Sequence, residues 1–479
     1  MLFSSYIFLF LFLPISLVLY YLSPRRIKNL TLLLVSLFFY AWGVPKLVGV
    51  LVLSSVIDFW LSNQFPKYPA GMRKKNLFVV SIFLNVSLLL YFKYSNFILS
   101  EVNLLLSVMS IEAIPWKEVL LPIGISFFTF QKISYLADVY QNKVKPADNL
   151  ISYLLFVALF PQLIAGPIVK YHDINEQLEK RSHSIDLFFE GFIRFALGLG
   201  KKVLIADAMG AVADNVYNLD PSQRTVLYSW LGTICYSMQI YYDFSGYSDM
   251  AIGLGKMFGF RLLENFNFPY ISQNLTEFWR RWHISLSTWM KEYLYIALGG
   301  KNCSNLRRYI NLWIVFLVSG LWHGASWNFI LWGMFHGFFL TLDKLFWLDF
   351  SKKLPRFFNI LITYFIVLNS WVLFRSETLE KAASMYSSLY GLGSGLGQIN
   401  LTYLDQVINN RGLTVLVLVM IFYIFSATKS FNKLFGHMES RRNSLPVYFS
   451  KGLISIVVYI VSVLALSSVN YNPFIYFKF

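Results

Sequence analysis

The sequence predicts an all-α integral membrane protein: a polytopic bundle of about a dozen transmembrane helices, some re-entrant, broken or interfacial, around a central cavity. Three observations predict it. Hydrophobic residues make up 56% of the 479 and charged residues only 14%, against about 25% charged in a soluble globular domain; the mean hydropathy is +0.54. Apolar runs recur along the whole chain, most clearly at 3–22, 77–99, 361–373 with its flanks, 413–425 and 453–466, and about 20 such residues cross a hydrocarbon core as a helix. The short alternating segments of a transmembrane β-barrel do not occur.

The first run resembles a secretory signal in length, but no basic segment precedes it, and Arg25, Arg26 and Lys28 follow it where a small-residue cleavage site would stand. It is expected to be a retained first span. A net charge of +16 would suit nucleic acid if it were gathered on one face. Instead the Lys and Arg residues fall in short gaps between apolar runs, at 25–28, 67–75, 143–145, 301–308, 352–356 and 429–442. That is the positive-inside pattern, with lipid headgroups and the cytoplasm as partners rather than nucleic acid. The gap holding Glu101, Glu112 and Glu118 is acidic and is expected outside, which places the N-terminus outside. Cys235 and Cys303 are the only cysteines. They offer neither a disulfide framework nor metal-ligand spacing, and packing is the expected role of Cys235.

With no repeat and no low-complexity linker, the chain reads as a single domain over 1–479: peripheral spans at 1–115, a catalytic core at 121–343 and closing spans at 357–479. Residues 1–115 carry little polarity inside their apolar runs. From Leu121 to His336 the runs are interrupted by Gly, Pro, Asp, Arg and His, which lipid tolerates only where backbone and charge are buried in protein or line a cavity. Residues 71–75 and 377–411 read as surface loops, the second made flexible by Gly391, Gly393, Gly395 and Gly397.

Three stretches carry residues suited to chemistry. In Tyr241-Tyr-Asp-Phe-Ser-Gly-Tyr-Ser-Asp249, two carboxylates lie within a segment of membrane length, and Gly246 between them could break the helix. Asp243 and Asp249 could be structural, paired with Arg or with helix-end N–H groups, or could line a polar substrate pocket. Next, Asn274 followed by Glu277 has the spacing of a capping box and starts a helix. On that helix Trp279, Trp282, Leu286, Trp289 and Tyr293 share one face as an aromatic interfacial belt; Arg280, His283, Ser287 and Lys291 share another as a cationic stripe. The stripe could rest on lipid phosphates, or Arg280 and Arg281 could hold a phosphorylated donor. Third, His323 lies between apolar spans and between Gly320 and Gly324, which let the backbone bend and leave room at the ring. A buried histidine stays neutral and can take a proton from a hydroxyl; the alternative is a core histidine satisfied by one carbonyl. His336 is 13 residues further on, roughly 220° away on a continuous helix, and would be structural unless the helix breaks at Gly324. His172, His183 and His437 fall in polar gaps with no assigned role. No two histidines have metal-ligand spacing, so no metal is expected.

These residues also carry a resemblance. Trp279-Arg-Arg-Trp-His283-Ile-Ser-Leu-Ser-Thr-Trp289 and Gly320-Leu-Trp322-His323-Gly-Ala-Ser-Trp327 are similar to motifs of the membrane-bound O-acyltransferase family. So are the 242–253 stretch, Phe160-Pro-Gln-Leu-Ile-Ala-Gly-Pro167, Phe127-Phe-Thr-Phe-Gln-Lys-Ile-Ser-Tyr135 and the closing segment from Pro473. The likeness is closest to the bacterial alginate O-acetylation branch and runs nearly end to end. It implies an enzyme moving an acyl group, acetyl above all, from a cytoplasmic thioester such as acetyl-CoA as donor substrate, with no permanently bound cofactor. It also implies delivery to the outside, to a separate extracytoplasmic acetyltransferase partner and a polysaccharide acceptor. His323 of the Trp-His-Gly motif is then the catalytic residue and His283 the second motif position, with Arg280, Arg281, Asp243, Asp249, Asn274, Trp322 and His336 as residues around substrate or donor. A related branch passes D-alanine from a carrier protein to teichoic acid. In a different class, a polysaccharide or solute transporter would show inverted repeats and paired broken helices, and no such symmetry is visible.

The charge pattern makes a topological expectation. A cysteine placed at Arg73 should be shielded from a membrane-impermeant thiol reagent in intact cells and become labelled after permeabilisation. Labelling in intact cells would reverse the orientation.

Overall fold

The structure is a computed structural model and describes residues 1–392, 404–428, 431, 445–468 and 474. Among these residues every regular element is helical. All five apolar runs picked out by sequence are helices. Five helical segments are long and apolar enough to cross a membrane: Pro45–Lys67, Met72–Val108, Trp327–Lys353, Arg356–Arg375 and Pro446–Ser467, with the shorter apolar helices Ile7–Leu22 and Asn410–Ser426 beside them. Their outward side chains are apolar too. Phe83 and Leu464 are 67% and 64% exposed, as a hydrocarbon solvent rather than water requires. His437, Gly393, Gly395, Gly397, the basic gap at 429–442 and most of the closing motif from Pro473 lie outside the described residues.

The chain groups into two compact units. One comprises Met1–Gly191, Ala251–Leu263 and Lys291–Tyr293; the other comprises Phe192–Met250, Glu264–Met290 and Leu294–Phe479. In the first, Lys132 Nζ lies 3.1 Å from Asp58 Oδ2, both side chains 1% exposed, and Asn85 Nδ2 donates to the other oxygen of Asp58 at 2.8 Å. Two loops expected from sequence are corrected. Residues 71–75 are mostly helix, because the Met72–Val108 helix starts there and runs 37 residues with no internal Gly or Pro to stop it; Lys74 is buried, its Nζ donating to Asn142. In the second unit, 377–411 contains the helix Leu379–Leu389, capped by Thr378 and burying Ala382, Met385 and Leu389. Its apolar residues recur at spacings of three and four, enough for an amphipathic helix.

Gly246 does not break its helix. Val226–Met257 is continuous for 32 residues, and the glycine serves a close crossing instead. A Cβ on Gly246 would stand 2.7 Å from the carbonyl oxygen of Gly198, and one on Gly198 would stand 2.6 Å from that of Gly246. Two backbones meet here with no side chain between them, the small-residue packing that membrane helices use in place of a hydrophobic driving force. The helices Asn305–His323 and Trp327–Leu342 form an antiparallel hairpin by the same device, Gly320 lying against the carbonyl of Phe329.

Gly246→Ala should therefore lower the midpoint of thermal unfolding in detergent, since overpacking costs about 1–3 kcal/mol. Gly49→Ala, in a helix with nothing within 4 Å of the added methyl, is the control and should leave the midpoint unchanged or raise it. Equal behaviour of the two variants would mean that the crossing is not tight.

Candidate active site

The second unit holds the residues singled out around 274–336. Asn274 is a helix cap: its Oδ1 accepts from the Glu277 N–H at 2.7 Å, while Glu277 Oε2 accepts from the Gln273 N–H at 2.9 Å. Asp343 adds a second anchor, one carboxylate oxygen accepting from Thr276 N–H at 2.7 Å and from its hydroxyl at 2.9 Å. A carboxylate at a helix N-terminus also suits the dipole.

The helix so started is not the long two-faced one expected. It ends at Arg281; Trp282 is extended, and His283 sits in the left-handed region at φ 43°, ψ 55° before Ile284–Trp289 begins. The break is tertiary in origin. Ile284 N–H donates to the Asn265 carbonyl and Asn267 N–H to the Arg281 carbonyl, both at 2.9 Å, so residues 265–267 pair with 281–284 and draw the chain out of the helix. Both sequence-derived faces are corrected. Trp279, Trp282 and Trp289 are 8%, 1% and 5% exposed, a core rather than an interfacial belt. His283 is wholly buried and leaves the stripe, on which Arg280 and Lys291 remain exposed. Arg281 is engaged within its own helix by Glu277 at 2.8 Å and by the Asn267 carbonyl at 3.1 Å.

Asn265, which nothing in the sequence marked out, organises His283. Its Oδ1 accepts from the Ser285 main-chain N–H at 3.3 Å and from the Ser285 hydroxyl at 2.8 Å, and its Nδ2 donates to Ser248 Oγ at 3.0 Å. A main-chain N–H can only donate, so the atom facing it is the amide oxygen. His283 Nδ1, 3.1 Å from the same oxygen, must then carry the proton. Its Nε2 is left with the lone pair, buried and with no hydrogen-bond partner among the described residues. Burial pushes the imidazole pKa down to about 3, so the ring is neutral at any physiological pH.

The hairpin brings the other two histidines together. The helix from Asn305 ends at His323, Gly324 is extended, and a new helix starts at Trp327. Because the helix breaks at Gly324, His336 is not on a distant face: it lies across Trp332 from His323, the ring centroids separated by 5.0 Å from His323 to Trp332 and 4.8 Å from Trp332 to His336. Trp322 stands between the other pair, 4.9 Å from His323 and 5.9 Å from His283. Phe374 and Trp371 close the cluster, Phe374 5.1 Å from His323. The room expected beside Gly324 is filled, since a Cβ there would run into the Phe329 ring; the glycine allows that ring to pack in. The result is three histidines in a dry indole and phenyl lining, none more than 5% exposed.

Asp243 and Asp249 lie in ion pairs. Lys202 reaches Asp243 at 2.9 Å and Asp207 at 2.7 Å; Asp249 is reached by Lys201 at 2.6 Å and by Arg194 at 2.7 Å. Of the two readings the sequence left open, the arrangement is that of buried carboxylates held by cations. Arg194, Lys201 and Lys202 were missed as partners, although three cations inside an otherwise apolar stretch were the signal. In the first unit, His172 Nδ1 donates to Asp138 Oδ2 at 2.7 Å, which raises its pKa, and Tyr293 donates to the same carboxylate at 2.9 Å. His183 meets the Tyr20 hydroxyl at 2.9 Å.

Comparison with known proteins bears on this site. Residues 52–375 match the membrane-bound O-acyltransferase family. The chain belongs to that family. It is similar to two proteins described as probable alginate O-acetylase AlgI, 39% identical in Azotobacter vinelandii and 41% in Pseudomonas putida, with all of each chain covered. It is 37% identical to a peptidoglycan O-acetyltransferase of Helicobacter pylori over 82% of this chain and 80% of that one. As a member of this family the chain is an O-acyltransferase and a membrane protein, and the matched stretch holds Asn265 and all three clustered histidines.

If the bare Nε2 of His283 takes part in acyl transfer, its tautomer matters. Asn265→Leu should lower kcat by at least about tenfold with the protein still present in the membrane. Asn265→Asp keeps the acceptor but sets a carboxylate beside the ring, favouring imidazolium; the acid limb of its pH–rate profile should move to higher pH. Full activity in Asn265→Leu would remove His283 from the chemistry.

Proposed function

We propose that this O-acyltransferase passes an acetyl group from a cytoplasmic thioester, acetyl-CoA in the first instance, to a hydroxyl destined for an extracytoplasmic polysaccharide. It works from the inner membrane with its N-terminus outside, and a separate extracytoplasmic acetyltransferase completes delivery. The observation that carries this reading is the burial of His323 among aromatic rings beside His283 and His336, in a chain alike over its full length to alginate O-acetylases. The basic gaps between spans support the donor side, being suited to the cytoplasm and to phosphates.

The chemistry asks little of the leaving side. A thiol of pKa ~8.5 leaves readily as thiolate, whereas the attacking hydroxyl must lose its proton as it bonds to carbon. His323 takes that proton in a water-poor site, the C–S bond breaks, and the proton ends on the thiol. Acyl group and proton thus exchange ends of the reaction with nothing left over.

The test is transfer of radiolabelled acetyl from acetyl-CoA to polysaccharide by purified protein in vesicles with its partner. His323→Ala should lower the rate on the order of 10²–10⁴-fold with membrane level unchanged; His283→Ala should lose less. Near-normal transfer by His323→Ala would move the base elsewhere, and transfer of carrier-bound D-alanine in place of acetyl by the native chain would replace the donor.

A further inference from the structure

Two buried donors in the histidine cluster have no use in the fold. Trp332 Nε1 and His336 Nε2 are without a hydrogen-bond partner among the described residues, in side chains 1% and 0% exposed. Native proteins rarely leave such groups unsatisfied, since each costs about 1–3 kcal/mol. The protonation of His336 follows from its neighbour. Trp279 Nε1 lies 3.3 Å from His336 Nδ1, and an indole N–H can only donate. Nδ1 is therefore the acceptor, and the proton of the neutral ring is on Nε2. His336 is thus held in the opposite tautomer to His283, presenting an N–H where His283 presents a lone pair. Trp332 and His336 are four residues apart on the Trp327–Leu342 helix, one above the other on a single face, and Trp332 packs directly on His323 at 5.0 Å.

We propose that Trp332 Nε1–H and His336 Nε2–H are the paired donors that hold the acyl carbonyl oxygen during transfer, with Trp279 as the positioning residue that sets the His336 tautomer. The proposal rests on the thioester reading above. As the acceptor oxygen bonds to the carbonyl carbon, its proton passes to His323 and the carbonyl π pair moves onto oxygen. That oxyanion accepts from both N–H groups; when it collapses, the C–S pair leaves on sulfur and the proton follows from His323. Two fixed donors in a dry site stabilise the charge that develops there without reorganising.

The test compares native protein with Trp332→Phe, His336→Leu and His336→Gln, using acetyl-CoA for turnover. The binding probe is a ketone analogue of acetyl-CoA with CH₂ in place of sulfur. Trp332→Phe and His336→Leu should each lose on the order of 10²–10³-fold in kcat with little change in KM, and His336→Gln, which keeps a donor near Nε2, should recover part of it. The infrared carbonyl stretch of the bound ketone should lie below its solution value in native protein and rise towards it in Trp332→Phe. An unshifted carbonyl in native protein, or kcat unchanged in both donor-removing variants, overturns the proposal, leaving the two N–H groups to buried water. Should Trp332→Phe fail to fold, the native carbonyl shift and the Leu-against-Gln contrast at 336 still decide it. A native protein that turns over no acetyl-CoA at all instead defeats the thioester reading on which the proposal stands.

Discussion

A polar group taken out of water must find its partner inside the protein, and within a membrane no solvent is at hand to make up the difference. That requirement explains most of what distinguishes the second unit. Lys202 stands between Asp207 and Asp243, and Asp249 between Lys201 and Arg194, so that seven nearby carboxylate and cationic groups, with Glu264 against Arg194, settle one another. The crossing of Gly198 on Gly246 brings the two helices carrying this network close enough for lysine and aspartate to meet. Asp343 and Asn274 satisfy the N-terminus of Leu275–Arg281 in the same way.

Against that background the unsatisfied atoms stand out. His283 Nε2, Trp332 Nε1 and His336 Nε2, each without a hydrogen-bond partner among the described residues, lie in one aromatic cluster. The cluster is preorganised by donors whose direction is not negotiable: the Ser285 main-chain N–H sets the Asn265 amide and through it the His283 tautomer, and the Trp279 indole N–H sets that of His336. Two neutral histidines of one site are thus given opposite faces to their surroundings, a lone pair from one and an N–H from the other. Packing rather than charge holds the rings in place, since indoles and phenyls contact them edge-to-face on several sides.

Much of this was legible in the chain. The apolar runs became helices, because length and hydropathy alone decide what a bilayer accepts. The Asn274 cap formed as its spacing indicated, because capping is a contact between residues three apart. The stretches around His283 and His323 contained the cluster. Other features were not legible. The broken helix at Trp282–His283 depends on Asn265 and Asn267, more than a dozen positions earlier, engaging the main chain of Ile284 and Arg281. The meeting of His336 with His323 depends on a hairpin whose turn a helical wheel cannot represent. Gly246 looked like a breaker and Gly324 like a vacancy, because a glycine in a sequence does not say whether the space beside it is empty or filled by a neighbour's backbone or ring.

What the sequence by itself determined, then, was the class of solvent the chain lives in, the helices that follow from it and the local caps, all of which depend on residues within a turn or two of each other. What only the tertiary structure decided was protonation and company: which nitrogen of each histidine bears the proton, which cation each aspartate meets, and which aromatic ring lies beside His323. Those are properties of distances between residues remote in the chain, and a tautomer changes with a hydrogen bond of about 3 Å that no spacing along the sequence can express.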